Sequence, residues 1–374
     1  MPHLLLDANS TPIAVRVTID APVAALHFLA HQPRLVQQVR YLASRDNPSS
    51  WYPGAFTTAQ FDVVAAVITR CVNLRAIQSD NWFLERVILV LDKVAATSEQ
   101  ASSVGIRWPL LSHLNLFWSP TQLDRDPLEI LNSTPNVVSF TYHDMVVQSG
   151  LHFESMARIR KIDLVGDKGI RLLMATLPFY QRLEQISFAA YSRQEAHDLA
   201  DLLCMNLSSC RALSTLTRLD LEMNLTSQTF WPNRLLVQAL QNLPRLHTLT
   251  LTVLGGLYVT DTIAESNHLS EIILASPRLR TLRMKIPTLD NRLNILQPAM
   301  TRVLTDTRPV QQLRRLELLE PGSALADWYR DRDLNVLDRI PEQDRVRMDV
   351  LSALCHARRV TVSFAGIPAW GSVR

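Results

Sequence analysis

Leu246-His247-Thr248-Leu249-Thr250-Leu251 and Leu279-Arg280-Thr281-Leu282-Arg283-Met284 follow one pattern: apolar, two residues, apolar, one residue, apolar. The last two apolar positions stand two apart, the spacing at which side chains of a β-strand share a face. The residue between them points the other way. Each stretch therefore encodes a short strand with an apolar inner side and a polar outer side.

The same pattern recurs along the chain. Full copies are Leu111/Leu114/Leu116, Ile159/Ile162/Leu164, Leu183/Ile186/Phe188, Leu216/Leu219/Leu221 and Leu313/Leu316/Leu318. Weaker copies are Val36/Val39/Tyr41, Val137/Phe140/Tyr142 and Ala357/Val360/Val362, with a partial copy at Leu74/Ile77. Taking the middle apolar residue as an anchor, the anchors run from Val39 to Val360 at intervals of 22 to 44 residues, about 32 on average. That interval holds one strand and one helix.

A helical stretch and a break precede the strands. Residues 234–243 lead to Pro244, 269–276 to Pro277, and 127–134 to Pro135. Apolar residues in these stretches recur at three and four, the mark of an amphipathic helix. Proline then ends the helix, because it lacks an N–H and restricts the residue before it. One such unit cannot bury its own apolar face, but a stack of units shares a continuous core. Helices are wider than the ~4.8 Å strand spacing, so the expected fold is a curved α/β solenoid with a parallel sheet on its concave face.

About eleven irregular repeats are expected, forming a single domain over 1–374. Residues 1–24 read as an N-terminal capping segment, with alternation over Ala14–Ile19, and 22–32 as the first repeat helix. Residues 79–107 and 319–347 read as insertions, the second before the last repeat. An ordinary α/β domain with Leu-rich strands would not keep so many copies in one phase. An all-helical solenoid of the HEAT type would not alternate at Leu249/Leu251.

Composition agrees with this reading. The chain has 374 residues, of which 59 are Leu and 10 Gly, so glycine-rich phosphate loops are not its theme. Apolar residues make up 47%, enough for a large core. The net charge is +3, too small a surplus for a phosphate-backbone footprint, and no nucleic-acid partner is expected. Of the 38 basic residues 34 are Arg, whose planar fork suits interfaces. The four cysteines show no CxxC or Cys/His ligand spacing, which fits a reducing cytoplasmic or nuclear setting. The N-terminus lacks the shape of a secretory signal, and the longest aliphatic run, Val87–Leu91, is far short of the ~20 residues of a membrane span.

The copies LTRLDLEMN (216–224) and LHTLTLTVL (246–254) resemble leucine-rich repeats, the first carrying their Asn at Asn224. The phrases LPRLHTLTL (243–251) and SPRLRTLRM (276–284) resemble the leucine-rich regions of F-box-type proteins abundant in mushroom-forming fungi, over roughly residues 25–365. The resemblance implies an intracellular protein that presents a substrate to an SCF ubiquitin ligase. In that family an F-box helix bundle binds the ligase adaptor, and its usual opening has no match before Ala25. A binding scaffold outside any ligase, or a fragment that has lost its F-box, is the alternative.

A partner would meet the outward strand positions flanking each anchor: Gln38/Arg40, Ala76/Gln78, His113/Asn115, Ser139/Thr141, Lys161/Asp163, Gln185/Ser187, Arg218/Asp220, Thr248/Thr250, Thr281/Arg283, Arg315/Glu317 and Arg359/Thr361. Their polarity and mixed sign suit protein recognition. The binding candidates among them are His113, Asn115, Lys161, Asp163, Arg218, Asp220, Arg283, Arg315 and Glu317. Trp328 and Tyr329, beside Arg330 in the second insertion, are candidate anchors in a rim loop.

Catalytic motifs are missing: GxGxxG, a P-loop, HExxH and GxSxG are all absent. Gly166-Asp167-Lys168-Gly169 lacks the upstream Gly and the following Ser/Thr of a phosphate loop. His143-Asp144 has no identifiable partner, and Cys204 and Cys210 have no companion ligands. No catalytic residue, metal ligand or cofactor is expected, and the chain reads as a non-enzyme. The remaining alternative is an irregular α/β enzyme whose loops converge His, Asp and Cys at the strand ends.

Overall fold

A computed structural model describes residues 3–6, 12–18, 29, 31–43, 67, 70–80, 108–117, 131, 134, 136–143, 153–190, 192–206, 210–224, 233–254, 262–276, 278–285, 289–305, 312–319, 342–364 and 367–368. The chain divides into two compact units, one formed by Met1–Leu164 with Phe179–Gln181, the other by Val165–Pro178 with Arg182–Arg374.

In the first unit the strands are β1 (His3–Leu6), β2 (Pro12–Thr18), β3 (Val39–Ala43), β4 (Ala76–Asp80), β5 (His113–Phe117), β6 (Ser139–His143) and β7 (Lys161–Val165). They lie side by side in chain order. β1 pairs antiparallel with β2, and β2 to β6 each pair parallel with the next. Ile77, Leu114 and Phe140 stand in one register and are each 1% exposed or less. Ile162 and Leu164 of β7 are buried, with Lys161 exposed between solvent and sheet. The alternation read from sequence is thus the burial pattern observed. The β1 hairpin strand was not anticipated. Its Leu4-Leu5-Leu6 run is too short to show a period.

In the second unit the strands are β8 (Gln185–Ala190), β9 (Arg218–Asn224), β10 (Thr248–Leu254), β11 (Thr281–Lys285), β12 (Arg315–Leu319), β13 (Thr361–Phe364) and β14 (Ile367–Pro368). β8 to β13 are parallel neighbours, and β14 turns back antiparallel on β13. Ile186, Leu219, Leu249, Leu282 and Leu316 form one register, all 0% exposed. Burying each such side chain contributes roughly 1.5–3 kcal/mol. A helix one turn long, α1 (Pro33–Val36), belongs to the first unit. In the second, α2 (Gly166–Thr176), α3 (Arg193–Asn206), α4 (Asn233–Gln241), α5 (Thr262–Ala275), α6 (Leu289–Thr305) and α7 (Glu342–Ala357) pack each on the next. Strand and helix alternate, and every neighbour in space is a neighbour in sequence. That is the α/β leucine-rich-repeat solenoid.

Two main-chain devices repeat from unit to unit. The carbonyl two residues before an anchor accepts two N–H groups from the following strand. The Arg75 oxygen takes Ser112 and His113 at 2.9 and 3.1 Å, and the Thr217 oxygen takes His247 and Thr248 at 3.0 and 3.1 Å. Ser112, Val138, Glu184, His247 and Arg280 do the same. A carbonyl oxygen has two lone pairs, so both bonds are satisfied. Just upstream, the apolar residue three before the anchor donates back three residues and closes an elbow, as Leu246 does to Leu243 at 3.3 Å and Leu279 to Ser276 at 3.0 Å.

The two end repeats depart from the sequence reading. The register pairs Leu42, not Val39, with Ile77, because a bulge at Arg40 shifts β3 against β2. Tyr41 consequently turns outward and is 40% exposed. At the other end Val362, not Val360, pairs with Leu316. Val360 instead ends α7. Its N–H reaches the Cys355 carbonyl at 2.9 Å while the Arg359 N–H reaches His356, with Arg359 left-handed at φ 61°. This is the Schellman closure of a helix. The outward pairs are therefore Tyr41/Ala43 and Thr361/Ser363, in place of Gln38/Arg40 and Arg359/Thr361.

Gly166-Asp167-Lys168-Gly169 opens α2. Gly166 is buried with φ 66°, a conformation costly for any residue with a Cβ, and Arg171 pairs with Asp167 at 2.8 Å one turn on. Helix 22–32 and the insertions 79–107 and 319–347 fall largely outside the described residues.

Candidate binding face

The strand registers convert scattered sequence positions into rows. In the second unit one outward row reads Gln185, Arg218, Thr248, Thr281, Arg315, Thr361, and the next reads Ser187, Asp220, Thr250, Arg283, Glu317, Ser363. Neighbours in a row stand ~4.8 Å apart, close enough for side chains to bond across strands.

They do so in two clusters. Asp220 accepts the Arg218 Nε at 2.8 Å, the Gln185 Nε2 at 2.9 Å and the Ser187 Oγ at 3.2 Å. Glu317 accepts the Arg283 Nε at 2.6 Å from one strand away and pairs with Arg315 of its own strand at 3.3 Å. The five charged residues expected on this face are thus present on it, and each is spent on a neighbour. Gln185 and Ser187, which fix Asp220, sit in the positions flanking their anchor. Thr250 is 5% exposed although it faces outward, a short side chain between the longer Asp220 and Arg283. Its Oγ1 has no hydrogen-bond partner among the described residues.

The first unit is arranged differently. Its rows read Tyr41, Ala76, His113, Ser139 and Ala43, Gln78, Asn115, Thr141. A groove of about 460 Å³ lies across them, lined by Tyr41, Arg75, Ser112, His113, Ser139 and Thr141 over a floor of Ile77 and Leu114. Ser112 Oγ is 2.7 Å from His113 Nδ1 and donates to the Arg75 carbonyl at 3.3 Å. Desolvation lowers the His113 pKa from its ordinary value, and the Lys161 ammonium lowers it further. Lys161 stands beside Ser139, since the N–H groups of Arg160 and Lys161 both bond the Val138 carbonyl. Asp163 is half-buried on the same strand.

His113 thus lines a groove and Lys161 borders it. Asn115 stands in register with Gln78 and Thr141. Trp328 and Tyr329 lie outside the described residues. Sequence reasoning missed Arg75, Ser112 and Tyr41. Arg75 and Ser112 occupy the position two before the anchor, and polar residues recur there at Arg160, Glu184, Thr217, His247, Arg280 and Arg314. That recurrence was the available signal.

Among the described residues no group of three or more His, Cys, Asp or Glu could hold a metal ion. Cys71 and Cys355 are core thiols, pushed up to about 12 by burial. Cys204 donates to the Leu235 carbonyl at 3.1 Å and Cys210 to Leu177 at 3.4 Å. No helix of the described residues is long and apolar enough to cross a membrane.

No protein-family model matches the chain, and no curated protein is similar to it. Among solved structures it is similar to the leucine-rich repeat-containing protein LegL7 from Legionella pneumophila, at 12% identity and a TM-score of 0.46, over 94% of this chain and 97% of that one.

Proposed function

We propose that the chain is a protein-binding scaffold that holds its partner on the outward face of its strands. The observation that carries this reading is the ordering of polar side chains on that face. Gln185, Ser187, Arg218 and Asp220 hold one another, as do Arg283, Arg315 and Glu317. Side chains already fixed before an encounter lose less entropy in it, and such faces are the surfaces that solenoids use.

The Ser112–His113 contact does not favour an enzyme. Among the described residues no carboxylate lines the groove to orient the imidazole, and the serine's other neighbour is a carbonyl. The resemblance of 243–251 to the fungal F-box-type repeats is what supports the narrower role of substrate recognition for an SCF ubiquitin ligase.

Affinity purification of the tagged chain, with mass spectrometry of what it retains, tests both. The comparison is a variant with Arg218→Asp, Asp220→Arg, Arg283→Glu, Arg315→Glu and Glu317→Arg, which inverts the displayed charges while keeping each ion pair. We expect the wild type to retain a partner and the variant to lose it at unchanged melting temperature. Equal recovery by both chains would remove the strand face from the reading. Recovery of a ligase adaptor and cullin would establish the narrower role, and a partner recovered without them would leave a scaffold outside the ligase.

A further inference from the structure

Among the described residues, charge is paired on the outward rows of the second unit and open beside the groove of the first. In the second unit Arg218, Arg283 and Arg315 each meet a carboxylate within 3.3 Å. In the first, among the described residues, neither the Arg75 guanidinium nor the Lys161 ammonium has a hydrogen-bond or ion-pair partner; both side chains are exposed. The groove they border is lined by Tyr41, Ser112, His113, Ser139 and Thr141, and among the described residues no carboxylate lines it. The Ser112 hydroxyl already donates to the Arg75 carbonyl, which leaves the hydroxyls of Tyr41, Ser139 and Thr141. Asp163, two residues beyond Lys161, already holds an interaction of its own. Two unmatched cations beside a row of hydroxyl donors complement an anion, and a carboxylate would accept from both kinds of group.

We propose that the groove bounded by Tyr41, Arg75, His113, Ser139, Thr141 and Lys161 docks an acidic segment of the protein partner, seating a Glu or Asp side chain against Arg75 and the hydroxyl row. This rests on the scaffold reading and adds the chemistry of what the first unit takes. The volume, about 460 Å³, falls in the range of ligand pockets, ~300–1,000 Å³. It has room for an acidic side chain and the backbone beside it. The attraction is electrostatic and partly exposed, so salt weakens it.

The test uses the full chain and a fluorescein-labelled Glu-rich decapeptide, followed by fluorescence anisotropy at low and high salt. The same peptide with Gln in place of Glu and one with phosphoserine are the comparisons. We expect the Glu peptide to bind and to weaken with salt. The Gln peptide and the double variant Arg75→Glu/Lys161→Glu should each bind at least about tenfold more weakly, a loss of ~1.4 kcal/mol. Both substituted side chains are exposed, so the variant keeps its fold, checked by circular dichroism. Equal binding of the Gln peptide, or of the double variant, would overturn the proposal. So would binding of the phosphoserine peptide alone. In the purification above, a partner lost by the charge-inverted variant but kept by Arg75→Glu/Lys161→Glu would overturn the groove and leave the scaffold reading intact.

Discussion

The Arg283 Nε lies 2.6 Å from Glu317 Oε2, joining two strands through residues 34 apart in sequence. The pair is largely shielded, with side chains 27% and 12% exposed, and Arg315 adds a second cation to the same carboxylate. Glu317→Gln would leave two guanidiniums around a neutral amide. We expect a loss of about 1–2 kcal/mol in urea denaturation, more than an exposed pair is worth. Reversing the whole cluster, as Arg283→Glu and Arg315→Glu with Glu317→Arg, should recover most of it. An unchanged urea midpoint for Glu317→Gln would mean the pair adds nothing to stability.

His113 should titrate below the ordinary histidine value. Desolvation is the first cause and the Lys161 ammonium the second. Following its ring carbon protons by NMR checks this, and Lys161→Met should move the titration upward. The sign for stability follows from linkage. A lowered folded pKa means the unfolded chain binds the proton more readily. The contribution of His113 is therefore present above its unfolded pKa and is lost as pH falls through the folded one. A titration at or above the ordinary value would contradict the groove's electrostatics.

The cysteines should divide by reactivity. Thiolate is the reacting form, and burial pushes Cys71 and Cys355 up to about 12. With a chromogenic disulfide reagent at pH 8, these two should stay silent in the folded chain and react only in urea. Cys204, raised by burial and then by Asp201, and the half-buried Cys210 are the sites open to slow reaction. Prompt reaction of all four in native buffer would show that the cores around Cys71 and Cys355 open readily.

Arg359 occupies a glycine position. A side chain at φ 61° costs roughly 1–2 kcal/mol, part of which glycine returns as unfolded-state entropy. Arg359→Gly should raise stability by about 0.5–1 kcal/mol in a thermal melt, and Arg359→Val should lower it. If Arg359→Gly lowers the melting temperature, the Schellman closure of α7 is not as described.

The interior of the fold was legible because a single physical rule governs it. Ile77, Leu114, Phe140, Ile186, Leu219, Leu249, Leu282 and Leu316 each needed burial at a strand period, and the registers align them. The ends were misread because burial does not distinguish a strand anchor from a capping residue. Val39 and Val360 are both buried, yet one precedes a bulge and the other closes a helix. The outward charges were likewise legible as a face. Their pairing was not, since Arg283 and Glu317 meet only once two strands are in register. The groove was the least legible part, because the bulge at Arg40 brings Tyr41 to it and no local pattern announces a bulge.

The doubled carbonyl acceptor has a consequence for how such a chain varies. Successive repeats are tied by main-chain atoms, which every residue supplies alike. What a repeat must spell is then little more than three apolar letters, and the stretch between one tie and the next is free in length and wording. A chain built this way can diverge until its relatives are no longer readable letter by letter, while the backbone splice that joins its repeats stays the same.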